Sequence, residues 1–148
     1  MIVYLVRHGE AVPEDADPKR PLSAKGRNEV EGTARELKDE GAKVDEIWHS
    51  EKLRAKQTAQ IIARDLGVSR VIEKTGLKPD DPVEPIAEML REASRVTPDA
   101  QRNSLHPRPT HNVLIVGHLP FIPKLVQLLK PELGKIKMKT GGFIRISL

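Results

Sequence analysis

Two segments, the apolar run IVYLV (residues 2–6) and NVLIV (112–116), apolar after its asparagine, constrain this chain more than anything else in it. Both are rich in β-branched side chains and neither alternates. That is the pattern of strands covered on both faces, as in a parallel sheet. Helical signals lie between them. Ser23 is placed to cap a helix reaching about residue 40, with Val30, Ala34, Leu37 and Ala42 on its apolar stripe and Gly41 as its stop. Residues 52–67 read as a second amphipathic helix. Leu53, Thr58, Ile61, Ile62 and Leu66 face inward there, and Gly67 closes it. EIWHS (46–50) and RVIE (70–73) read as short strands, and 86–95 as a short helix. GHLPFIPKLVQLLK (117–130) begins as a turn and becomes a helix, and GGFIRISL (141–148) is a last strand at an edge. The polar, proline-dotted stretches 12–21, 74–85 and 97–110 are loops. Strands alternating with helices predict one layered α/β/α domain over residues 1–148, with a mostly parallel central sheet and an antiparallel edge strand.

Composition narrows the function. The formal charge of +4 is spread along the chain, and only 3% of residues are aromatic. With no basic tail and no row of stacking rings, nucleic acid is not an expected partner. No apolar stretch approaches the roughly 20 residues that cross a bilayer, and the first residues do not resemble a secretory leader. There are no cysteines, hence no disulfides and no thiolate chemistry. A cytoplasmic protein is the expectation; the oligomeric state is not readable.

Both strong strands end in the same way. The first runs into Arg7-His8-Gly9 and the other into Gly117-His118. In open α/β sheets the carboxyl ends of parallel strands line the ligand crevice, so neighbouring strands would bring His8 and His118 face to face. A third strand ends at Ser50, and Arg54 follows on the first turn of a helix, where an anion is favoured. Guanidinium groups grip phosphate oxygens bidentately and stay charged. Two arginines, two histidines and a serine on this plan suit phosphoryl transfer.

Four segments carry a resemblance: RHGEA (7–11), RPLSAKGRNE (20–29), SEKLRAKQTA (50–59) and VLIVGHLP (113–120). In this order the chain resembles the histidine phosphatase, or phosphoglycerate mutase-like, superfamily, and most of all its small SixA-type phosphohistidine phosphatase branch. The resemblance implies a phosphoglycerate mutase-like fold, no metal and no cofactor. It casts His8 as the nucleophile that is transiently phosphorylated, with Arg7 and Arg54 as clamps and His118 as a hydrogen-bond donor to the group in flight. Ser50 would bond a phosphoryl oxygen or hold Arg54, and Glu10 would orient Arg7 or His118. A neutral His8 should donate its other nitrogen to a backbone carbonyl. The implied partner is a phosphohistidine-bearing protein.

Two departures bear on substrate. Larger relatives carry a carboxylic acid that protonates an alkoxide leaving group. Here only Asp80, Asp81 and Glu84 lie in that region, in no pattern that matches. Pro13 stands near where many relatives have a phosphate-binding asparagine. An imidazole leaves phosphohistidine without such help, so the sequence favours that substrate. The alternatives are a small-molecule phosphomonoesterase or mutase of the same superfamily, and a non-catalytic phosphate-binding module. Blander readings make Ser50 a helix cap, Glu10 an ion-pair partner, and Asp80 and Asp81 turn residues. His49, His106 and His111 are then structural or surface residues. Lys124, Lys130, Lys135, Lys137 and Lys139 form a solvated face with an outside use against an acidic partner.

Overall fold

The computed structural model describes residues 1–95 and 111–148. The expected loop over 97–110, with His106, lies outside the described residues. Five strands form one sheet in the order β3-β2-β4-β1-β5. They are β1 (Ile2–Arg7), β2 (Glu46–His49), β3 (Val71–Glu73), β4 (Val113–Gly117) and β5 (Phe143–Ser147). The first four are parallel and β5 runs antiparallel on the β1 edge, as the sequence predicts. The two strong strands are neighbours, in register from Val3 opposite Val113 to Arg7 opposite Gly117.

Alternation along each strand splits the core into two layers. Tyr4, Val6, Ile47, Leu114 and Val116 pack against α1 (Ala24–Asp39) and α2 (Leu53–Leu66). Val3, Leu5, Trp48, Val113 and Ile115 pack against α3 (Glu84–Ser94) and α4 (Phe121–Leu129) on the other face. Every residue of β4 is buried, which is why its run shows no period. Ser23 caps α1 by accepting from the Gly26 N–H at 3.0 Å, and Gly67 ends α2 at φ 70°. Thr58, Ile61 and Ile62 are buried on the inner face of α2 as expected, with Ala55, Ala59 and Ala63 beside them; Leu66 packs half-buried against the same layer, and Leu53 is only half-buried. Helix α3 starts two residues earlier than predicted. Pro85 falls in its first turn, where a missing N–H costs nothing and the fixed φ suits the helix.

After a 3₁₀ turn at Pro131–Leu133, the chain crosses the carboxyl end of β1 on its way to β5. Gly142 accepts from the Arg7 N–H, and the Gly141 N–H reaches both the Arg7 and His8 carbonyls at 3.0 Å. This crossing segment walls the end of the sheet where the two histidines emerge.

Candidate active site

The residue after β1 is His8 and the residue after β4 is His118. Strand pairing continues past the named strands, with the His8 N–H donating to the Gly117 carbonyl at 3.1 Å. The two imidazole rings lie 5.0 Å apart, tilted by 57°. The Nδ1 of His8 lies 2.6 Å from the Gly9 carbonyl. A carbonyl only accepts, so Nδ1 carries the proton and Nε2 keeps its lone pair. The Arg54 Nε–H points at that Nε2 from 3.4 Å. Burial, opposed by the Gly9 bond and reinforced by Arg54, Arg7 and Arg20, lowers the His8 pKa to about 4. His8 is therefore a neutral imidazole at physiological pH whose Nε2 lone pair faces the Arg54 Nε–H.

His118 is wired differently. Its Nε2 lies 2.6 Å from the Ser50 hydroxyl. That hydroxyl already receives the Lys52 N–H at 3.3 Å, so its own proton is available for Nε2. Neutral His118 then carries its proton on Nδ1, and Nδ1 is buried with no partner. Burial, then the charges of His8, Arg54, Lys52 and Arg20, lower its pKa to about 3. The Arg7 guanidinium donates Nη1 to the Met138 carbonyl at 2.8 Å, while its buried Nε also has no partner. Unmet buried donors cost about 1–3 kcal/mol each. Among the described residues these are the only two unpartnered buried side-chain polar atoms, and both belong to this end of the sheet.

The structure thus gathers Arg7, His8, Ser50, Arg54 and His118. Ser50 holds His118, and no bond joins it to Arg54. Nor does Ser50 cap α2, whose N-cap is Lys52. Glu10 turns away: its carboxylate pairs with Lys25 at 3.2 Å and makes no contact with Arg7 or His118. Asp81 closes a turn by accepting from the Lys78 N–H at 2.9 Å, and Asp80 and Glu84 are exposed. None of these three is among the charges that act on His8 or His118. Pro13 is exposed and accepts from the Ala16 and Asp17 N–H groups to open a turn.

Several supporting residues escape a reading of the sequence. The Gly9 N–H donates to the Thr58 hydroxyl at 3.1 Å, and that hydroxyl donates to the Arg54 carbonyl at 2.8 Å. Thr58 looks like one more inward residue of α2, yet it ties the His8 turn to the Arg54 helix. Glu29 accepts from the Glu10 N–H at 2.9 Å and from the Thr140 hydroxyl at 2.8 Å, joining α1 to both walls. Arg20 is held at φ 47°, with Nε donating to the Val12 carbonyl at 3.2 Å, and its charge is felt by both histidines. Gly26 has a legible reason. A Cβ there would stand 2.0 Å from the Glu10 carbonyl oxygen, so only glycine lets α1 back onto the RHGE turn.

The chain is similar to known proteins in sequence and in fold. The chain is 29% identical over 163 aligned residues to the mitochondrial serine/threonine-protein phosphatase Pgam5 of Drosophila erecta, covering 99% of this chain and 54% of that protein. It therefore spans about half the length of that relative. Its structure superposes on that of the protein histidine phosphatase SixA complexed with tungstate, with a TM-score of 0.83 and 26% identity, over 100% of this chain and 88% of SixA. A mycobacterial glucosyl-3-phosphoglycerate phosphatase shares the fold at a TM-score of 0.67 and 19% identity, over 99% of this chain and 89% of that one. Residues 3–80, just over half the sequence and including both RHGEA and the Ser50–Arg54 segment, match the family model of the histidine phosphatase superfamily, branch 1. On that match, and on the paired histidines at the ends of β1 and β4, the chain belongs to the histidine phosphatase superfamily.

Proposed function

We propose that this protein is a metal-independent phosphatase that removes phosphoryl groups from phosphohistidine on a protein, through a phosphorylated His8. The observation that carries the reading is the state of His8: Nδ1–H fixed on the Gly9 carbonyl, and Nε2 neutral beside Arg54. In the first step Nε2 forms a bond to phosphorus as the bond from phosphorus to the substrate's imidazole nitrogen breaks. The departing imidazole keeps the electron pair and takes a proton from solvent. In the second step water attacks phosphorus, the bond to Nε2 breaks, and inorganic phosphate leaves with His8 neutral again. Arg7, Arg54 and the Nδ1–H of His118 balance the charge on the equatorial oxygens. Such fixed donors are what a loose phosphoryl transition state needs most.

Leaving-group chemistry supports the substrate class. The charges that reach His8 or His118 are all cations or the partner histidine. No carboxylate among the described residues acts on either histidine's charge. Phosphohistidine, whose leaving imidazole is already a good one, fits such a site better than a serine, threonine or sugar ester does. The test is a side-by-side assay of a phosphohistidine protein, a phosphoserine protein and a panel of small phosphate esters, with His8→Ala as control. Faster turnover of phosphohistidine, lost in His8→Ala, is expected. Preference for any ester would refute the substrate assignment, and activity surviving in His8→Ala would refute the mechanism.

A further inference from the structure

We propose that Lys135, Lys137 and Lys139 form a docking rail for an acidic, extended segment of the phosphoprotein substrate; this rests on the reading of the protein as a protein phosphatase. The sequence there is KIKMK (135–139). All three lysines are exposed, Ile136 is partly buried and Met138 is 8% exposed in the α3/α4 core layer. Burial that changes at every residue is the signature of an extended chain, in which alternate side chains point the same way. The ammonium groups therefore leave one side of the segment at a spacing of roughly 7 Å. An extended partner has the same period, so acidic residues at its alternate positions meet the lysines in turn.

Position gives the row its use. The Met138 carbonyl holds the Arg7 guanidinium at 2.8 Å, so Lys137 and Lys139 branch off one residue to either side of the clamp's anchor. The same two lysines face α1 across a cleft of about 880 Å³ whose far wall includes Glu29, engaged by the Glu10 N–H and the Thr140 hydroxyl, and the exposed Glu36, so an acidic segment is held on the lysine side. Among the described residues, none of the ion pairs includes Lys135, Lys137 or Lys139. Exposed lysines most often serve only solubility. Here they are regularly spaced on one side of an anchored chain, and that chain positions a phosphate-gripping residue.

The probes are two synthetic peptides with the same phosphohistidine, one flanked by alternating glutamates and the other by glutamines in their place. Three exposed pairs formed together predict about a tenfold higher kcat/KM for the glutamate peptide, an advantage that shrinks as salt is raised. In the variant Lys135→Gln/Lys137→Gln/Lys139→Gln the advantage should vanish. Turnover of the glutamine peptide should stay within about twofold, since rim charges act on encounter with a charged partner and not on the reacting atoms. Equal turnover of the two peptides by the wild type, or a preference that survives in the variant, overturns the proposal. If neither peptide is turned over, the functional reading falls, and the rail is judged by fluorescence anisotropy of the unphosphorylated glutamate peptide. Weaker binding to the variant then supports the rail, and equal binding overturns it.

Discussion

Ser50→Ala separates a serine that grips phosphate from one that governs a histidine. The hydroxyl is fully buried and sits 2.6 Å from Nε2 of His118. Without it nothing in the site selects the tautomer with its proton on Nδ1, and Nε2 becomes an unpaired buried atom. A hydrogen bond between neutral groups contributes about 1–1.5 kcal/mol, so the substitution should slow phosphoryl transfer about tenfold. Removing the donor itself, in His118→Ala, should cost about 3 kcal/mol, or about a hundredfold. The double variant is decisive. If Ser50 acts through His118, the pair is no slower than His118→Ala alone; independent action on the phosphoryl group would multiply the two losses to about a thousandfold. Rapid-quench measurement of phosphoenzyme formation under single-turnover conditions reads the step directly. Multiplicative losses would refute the assignment of Ser50 as a residue that positions His118.

Other expectations are quicker to state. Because burial and the neighbouring arginines hold His8 at about 4, against an ordinary 6.5, phosphoenzyme formation should persist through pH 6 and fail only toward pH 4; a midpoint near 6.5 in kcat/KM would contradict it. The same depression bears on stability. Between pH 6.5 and about 4 the unfolded chain takes up a proton at His8 and the folded one does not, so stability present above pH 6.5 is lost as pH falls, by about 1.4 kcal/mol per pH unit across that window. In thermal melts at several pH values, the stability of wild type relative to His8→Asn should fall as the medium is acidified. Gly26→Ala drives a Cβ into the Glu10 carbonyl and should lower the melting temperature by more than a surface substitution does, with loss of activity, while Gly32→Ala, which meets open space, should be tolerated. Arg54→Ala should lower kcat by about 10²–10³, and treatment with a chelator should leave the wild-type rate unchanged.

The layered fold was legible because the strands speak through composition and the helices through spacing. IVYLV and the VLIV that follows Asn112 are apolar throughout, since helices cover both of their faces. The paired histidines were legible for a related reason: each follows such a strand directly, and strands of one sheet end at one rim. Ser50 and Arg54 could be placed at the same rim, but the partner of Ser50 could not. A hydroxyl four residues before an arginine suggests a contact between the two, and only the register of β2 beside β4 turns it toward His118. Thr58 and Glu29 were hidden because a helix face that buries a polar group to brace a loop has the same spacing as one that buries apolar groups. Arg20 was hidden because its left-handed backbone is a property of the folded loop, and an arginine before a proline gives no sign of it.

The pairing of β1 with β4 has a consequence for how this chemistry can drift over time. Neighbouring strands stand about 4.8 Å apart whatever their side chains are. The separation of the two imidazoles, 5.0 Å, is close to that peptide-to-peptide repeat. The main chain thus brings the two rings within reach of each other, and the Gly9 carbonyl and the Ser50 hydroxyl then decide where each ring points. Substitutions around the rim can retune acidity, charge or ring orientation, but the side-by-side placement of the two histidines belongs to the ladder.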